Sequence, residues 1–141
     1  MNKILIESTA DGSHTLFIPE INEHYHSVNG ALQESLHVFI NAGLKQIPQK
    51  DISILEIGFG TGLNAYLTLV ESVHSNKNIN YVGIEKYPLS DCIVKSLNYS
   101  YLIRRTEDPV FQKNTSNPLG RKKRNNREIQ FDKKKKKMSN C

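Results

Sequence analysis

Three glycines at alternate positions, Gly58, Gly60 and Gly62, lie between a short apolar run and a helix-like pattern. Ile52, Ile54, Leu55 and Ile57 have the composition of a parallel strand covered on both faces. Glycine accepts positive φ and lets a ligand approach the backbone closely. A helix starting at about Thr61 would aim its free N–H groups and positive dipole end back at the turn. Nucleotide binding is the chemistry this arrangement offers. Acidic residues bracket it: Glu56 precedes the glycines, and Glu85 closes the next β-prone run. An acid about twenty residues beyond such glycines is placed to accept hydrogen bonds from both ribose hydroxyls. The dinucleotide fingerprint G-x-G-x-x-G/A does not fit, because Leu63 stands at its third small position.

A second polar group is the run His24, Tyr25, His26 and Ser27. A His-x-His pair can ligate a metal when both rings share a strand face. No third ligand follows at a telling spacing, so no metal site is expected.

The elements that must position these residues read in order. Lys3–Glu7 and His14–Ile18 are β-prone, with a turn at Ala10-Asp11-Gly12, and predict an antiparallel hairpin. Pro19–Ser27 has no clean period and reads as a loop. Ser27 can cap a helix from about Val28 to Leu44, whose apolar face is Ala31, Leu32, Leu36, Phe39, Ile40 and Gly43. Leu63–His74 reads as an amphipathic helix and Ile79–Glu85 as a second strand. Strand, helix, strand at this length is a βαβ unit with parallel strands. Pro88, with Ser90 or Asp91 as cap, opens a third helix expected to reach about Ile103. Tyr87 and Leu89 suit either an adenine wall or ordinary core.

The 141 residues suit one domain. Cys92 and Cys141 make no disulfide framework, and no run approaches the ~20 apolar residues that span a bilayer. A soluble cytoplasmic protein is expected. The net charge of +5 is unevenly spread. Leu119–Cys141 holds ten Lys/Arg against two acids, a net of +8, and the preceding 118 residues carry −3. Such a block repels itself and buries no core. Residues 1–110 are therefore expected to form the domain, and 111–141 a disordered basic tail able to bind RNA through phosphates.

The pattern Glu56-x-Gly58-x-Gly60-x-Gly62 resembles motif I of class I S-adenosylmethionine-dependent methyltransferases. More specifically, PEINEHYHSVNGALQESLHVFINAGL, ILEIGFGTGLNAYLTL and GIEKYPL resemble the MnmC/MnmD methyltransferases, over roughly residues 3 to 105. The resemblance implies methylation of the 5-aminomethyl group of tRNA wobble uridine, giving 5-methylaminomethyluridine, with S-adenosylmethionine as cofactor and tRNA as partner. It implies an α/β, Rossmann-like class I methyltransferase fold. Glu56, Gly58, Phe59, Gly60, Thr61, Gly62, Asn64, Glu85 and Lys86 would bind the cofactor. Tyr25, His26 and Ser27 are the candidates near the reacting groups. The family's later strands, including an Asp- and aromatic-containing segment, have no match here. The chain is expected to be a truncated form, through a frameshift or as a natural short version, with the lysine run favouring the former. Marginal stability and self-association through an exposed sheet edge would follow. The alternatives are an NAD-binding oxidoreductase and a non-catalytic fragment that binds RNA through its tail.

Overall fold

The computed structural model describes residues 3–107. The basic stretch, the boundary expected at residue 110 and Cys141 lie outside the described residues. Strands β1 (Leu5–Ser8) and β2 (His14–Ile18) form the expected hairpin, with Ile6 opposite Leu16. Gly12, at φ 81°, turns the chain and donates to the Thr9 carbonyl at 2.9 Å.

The stretch expected to be a loop contains a third strand, β3 (Glu23–His24), paired with Phe17 and Ile18. A tight turn returns the chain: Ile21 N–H reaches the Ile18 carbonyl at 3.3 Å, and Asn22 adopts φ 53°. The His24 ring then stacks on Phe17 at 4.5 Å. Two paired residues are too few to leave a period in the sequence.

The expected helix from Val28 starts later and is irregular. Helix α1 (Ala31–Glu34) widens into a π-helical segment, Ser35–Asn41, followed by a 3-10 turn at Leu44–Gln46. Ser35 and Ile40, five residues apart, both point into the core, a spacing that matches the wider turn. Ser27 is not the cap; its hydroxyl accepts from Asn29 N–H at 3.2 Å in a local turn. The caps come from the hairpin turn instead. Ala31 N–H donates to Thr9 Oγ1 at 3.3 Å, Leu32 N–H to Ser13 Oγ at 3.0 Å, and Gln33 N–H to Asp11 Oδ2 at 2.8 Å. Three otherwise orphaned donors are thereby satisfied. Gly30, at φ 149°, permits this approach, since a Cβ there would lie 2.7 Å from Asp11 Oδ2.

Strands β4 (Asp51–Ile57) and β5 (Asn78–Ile84) pair in parallel through all seven residues, with α2 (Leu63–Ser75) between them in the chain. Ile52, Ile79 and Tyr81 are buried, as are Leu63, Ala65 and Leu67 of α2. The other sheet face corrects the expectation of a strand covered on both sides. Leu55, Ile57 and Ile84 are 64%, 72% and 52% exposed, because no described element packs there. Asn76, in the left-handed conformation at φ 56°, ends α2.

The third helix divides in two, α3 (Asp91–Ser96) and α4 (Tyr99–Glu107), with Ser90 as the cap of α3. The break frees Asn98 to tie the hairpin down. Its Oδ1 accepts from His14 N–H at 2.9 Å and its Nδ2 donates to the Gly12 carbonyl at 2.8 Å.

Burial opposes ionisation of Asp11, but donors from Ser13, Gln33 and Thr9 outweigh it and hold the carboxyl below the usual carboxylate range. A depressed folded-state pKa gives stability present above the unfolded value of about 3.9 and lost as pH falls through the folded value. Asp11→Ala should lower stability by about 1–2 kcal/mol in urea denaturation near neutral pH, the cost of losing a helix cap. It should also shrink the acid-induced loss below pH about 4; an unchanged midpoint would show that the turn does not cap α1.

Candidate functional site

Parallel pairing ends β4 and β5 at one level, with Ile57 opposite Ile84. Gly58 and Phe59 N–H groups both donate to the Ile84 carbonyl, at 2.8 and 3.1 Å. The loop then runs through Gly58, Gly60 and Gly62 at φ 81°, 53° and 77°. Gly62 caps α2 from the left-handed region, and Tyr66 N–H returns to its carbonyl at 3.0 Å. An added Cβ on Gly58 would meet nothing within 4 Å, so open space adjoins the backbone there.

Glu85 follows β5 directly and closes on this loop. Its Oε2 accepts from Gly60 N–H at 2.9 Å and its Oε1 from Tyr87 N–H at 2.8 Å. A carboxylate and a glycine backbone thus meet at the C-terminal ends of the parallel strands, the usual ligand-binding end of open α/β sheets.

Glu56 lies on the covered side of the sheet. Its Oε1 accepts from Asn64 Nδ2 at 3.0 Å and its Oε2 from the Tyr81 hydroxyl at 2.8 Å. Burial, then the hydrogen bond to Glu56 and its charge, raise the Tyr81 hydroxyl far above its ordinary pKa, so it stays a donor. Glu56 and Asn64 therefore clamp the first turn of α2 to both strands. Phe59 is a wedge: Cβ atoms added at Gly62 and Gly83 would lie 2.9 and 2.3 Å from its ring. Sequence reasoning missed Gly83, whose small size only makes sense once the ring above it is placed.

The Tyr25-His26 pair reaches the loop from the N-terminal sheet. The Tyr25 ring lies 3.2 Å from the Cβ position of Gly60. Burial, then the Glu85 charge, raises the Tyr25 hydroxyl above its usual range. His26 Nε2 is 2.9 Å from Thr61 Oγ1, and burial lowers its pKa despite the opposing charge of Glu34. Buried Thr61 also meets the Tyr99 hydroxyl at 3.3 Å, and that hydroxyl donates to the His14 carbonyl at 2.8 Å. Tyr99 had no signal in the sequence beyond its place in a helical pattern. Other candidates lie elsewhere. The Ser27 backbone N–H donates to Glu34 at 3.0 Å, and His24 turns away to Glu7 at 3.0 Å. Lys86 is exposed with its Nζ 4.9 Å from the centre of the Tyr87 ring. Tyr87 is exposed and Leu89 packs on the core. Among the described residues no three His, Cys, Asp or Glu side chains cluster as a metal site. No helix among them is long and apolar enough to cross a membrane.

No protein-family profile matches the chain. It is 37% identical over 76 residues to the tRNA 5-methylaminomethyl-2-thiouridine biosynthesis bifunctional protein MnmC of Leptospira borgpetersenii, a match covering 47% of this chain and 11% of that protein. The proteins of the same name from Campylobacter fetus and Pseudomonas entomophila are 29% and 35% identical, over 62% and 50% of this chain and 14% and 12% of their own lengths. The crystal structure of MNMC2 from Aquifex aeolicus superposes with a TM-score of 0.55 at 25% identity, covering 95% of this chain and 44% of that one. The chain thus spans between a tenth and a seventh of these curated relatives' lengths. It is a relative of the MnmC tRNA-modification proteins, and its architecture is mixed α/β like that of MNMC2. The expected resemblance to the MnmC proteins is borne out over part of the chain.

Gly83→Ala should cost about 1–3 kcal/mol in urea denaturation, because the new methyl must displace the Phe59 ring. A neutral result would show that the ring is not seated there. The lowered His26 pKa gives a second expectation. The unfolded chain takes up this proton first, so stability should fall as pH drops below about 6.5. A thermal-melt series of His26→Gln should lack that part of the decline; an identical pH profile would assign it to other groups.

Proposed function

We propose that this chain is the cofactor-binding part of a Rossmann-like class I methyltransferase that acts on tRNA. The reaction is transfer of a methyl group from S-adenosylmethionine to the 5-aminomethyl group of wobble uridine, giving 5-methylaminomethyl(-2-thio)uridine. The observation that carries the reading is the Glu85 carboxylate against the Gly60 N–H, beside the open backbone at Gly58. That cradle suits a ribose and an uncharged sugar–amino-acid linkage with no pyrophosphate to hold. Support for tRNA as the substrate comes from the relatives' names, which specify biosynthesis of a methylaminomethyl nucleoside of tRNA.

When bound, S-adenosylmethionine supplies an electrophilic methyl group on a sulfonium. The chain's own residues do the rest. Glu85 would accept the ribose hydroxyls while keeping its backbone donors, since each carboxylate oxygen has a second lone pair. Gly58, Gly60 and Gly62 keep side chains off the ligand's path. Glu56, Asn64 and Phe59 hold the loop's shape from beneath. The attacking amine must be neutral and must then shed a proton. The raised pKa keeps the Tyr25 hydroxyl a hydrogen-bond donor, and burial keeps His26 an uncharged partner of Thr61. The oxidoreductase alternative meets an obstacle at Leu63, 1% exposed where a dinucleotide loop needs a small residue against the strand.

Calorimetric titration with S-adenosylhomocysteine should show saturable binding. Glu85→Ala should weaken it by roughly tenfold or more, the loss expected for hydrogen bonds to a charged group. Circular dichroism of the variant checks that the fold persists. Absence of binding by the parent chain would sink the reading, and saturable NAD binding in its place would establish the oxidoreductase alternative.

A further inference from the structure

We propose that Thr61 is the positioning residue of the glycine loop: its hydroxyl accepts from Tyr99, donates to His26, and so fixes the backbone on which a ligand lies. Thr61 stands between Gly60 at φ 53° and Gly62 at φ 77°. Glycine has the widest backbone freedom of any residue, so these are soft joints. The Gly60 N–H meets Glu85 at 2.9 Å only while the loop keeps its course. Between the two joints, the Thr61 side chain is buried and is held by groups from outside the βαβ unit, on α4 and on the segment after β3.

The direction of these bonds follows from counting protons. The Tyr99 hydroxyl has one, which it shares between the His14 carbonyl at 2.8 Å and Thr61 Oγ1 at 3.3 Å. On that side Thr61 accepts. Its own proton is left for His26 Nε2 at 2.9 Å, because a buried hydroxyl proton without an acceptor is costly. His26 then carries its proton on Nδ1. A second proton, on Nε2, would set two donors against one oxygen and orphan the Thr61 proton. That penalty acts in the same direction as the burial that lowers the His26 pKa. The Thr61 side chain thus works through the backbone at Gly60 rather than by touching the ligand. A loop already held in its bound course has less freedom to lose on binding.

Heteronuclear NMR of the His26 ring in the parent chain, at pH about 8 where histidine is uncharged, should find the Nδ1–H tautomer. That measurement needs no variant to fold. Thr61→Val keeps the shape of the side chain and removes the hydroxyl. Hydrogen exchange of the Gly60 N–H should then speed up by roughly three- to tenfold, the worth of a neutral hydrogen bond. Amides of β4 and β5 should keep their rates, and Thr61→Ser should restore the parent rate at Gly60. Affinity for S-adenosylhomocysteine should weaken over the same range in Thr61→Val and recover in Thr61→Ser. This last readout alone rests on the proposed cofactor; a parent chain that does not bind it would count against that cofactor, while exchange and tautomer still decide the role of Thr61. A Nε2–H tautomer would overturn the proposal. So would an unchanged Gly60 rate in a folded Thr61→Val chain, or a serine variant no better than valine. Acceleration shared equally by both strands, the mark of a general loss of stability, would overturn it as well.

Discussion

Everything at the candidate site depends on the parallel pairing of β4 with β5. Its seven-residue register ends both strands together, which puts Gly58 and Glu85 side by side. The Ile84 carbonyl, taking N–H bonds from Gly58 and Phe59, then starts the loop at a fixed height above the sheet. A slip of one residue would turn every side chain to the other face. Glu56 would leave Asn64 and Tyr81, and Ile52 would leave the core. The site is thus a by-product of a packing constraint, with the Phe59 ring against Gly83 as the fastener between the strands.

The antiparallel N-terminal sheet is joined to this unit through polar seams. Asp11, Thr9 and Ser13 cap α1, and Asn98 holds the hairpin turn to α4. Thr61 meets His26 and Tyr99 inside the glycine loop itself. Buried hydrogen bonds contribute modest net stability, but leaving one partner unpaired is expensive. Such seams therefore fix orientation more than they add stability. They explain how two small sheets, neither large enough to bury its own faces, hold Tyr25 against Gly60.

The same architecture is lopsided. Helix α2 packs on one face of the parallel sheet, with the π-helical segment against α2, while Leu55, Ile57 and Ile84 stay in water on the other. Parallel sheets are normally buried on both faces because their crossovers carry helices to each side. Here a single crossover lies among the described residues, so a single face is covered. The chain corresponds to 44% of the related MNMC2 structure.

The local elements were legible from residue types alone. The hairpin follows from two β-prone runs around Ala10-Asp11-Gly12, and the βαβ unit from apolar runs ending at the glycines and at Glu85. These are short-range signals, because turn chemistry and strand composition act within a few residues. The tertiary structure decided what depended on distant partners. Ser27 looked like a helix cap until Asp11, Thr9 and Ser13 arrived from the hairpin, since a trans cap leaves no local mark. Asn98 broke a helix that its neighbours would have continued, because its side chain had a better use eighty-four residues back at His14. Glu56 and Phe59, read as ligand contacts, also brace the loop from within the chain, a role that burial and direction in the packed sheet reveal. The sequence by itself determined the glycine loop and the acid that faces it. Only the packing determined which side of the sheet is covered, because that is set by where the crossover helix lands.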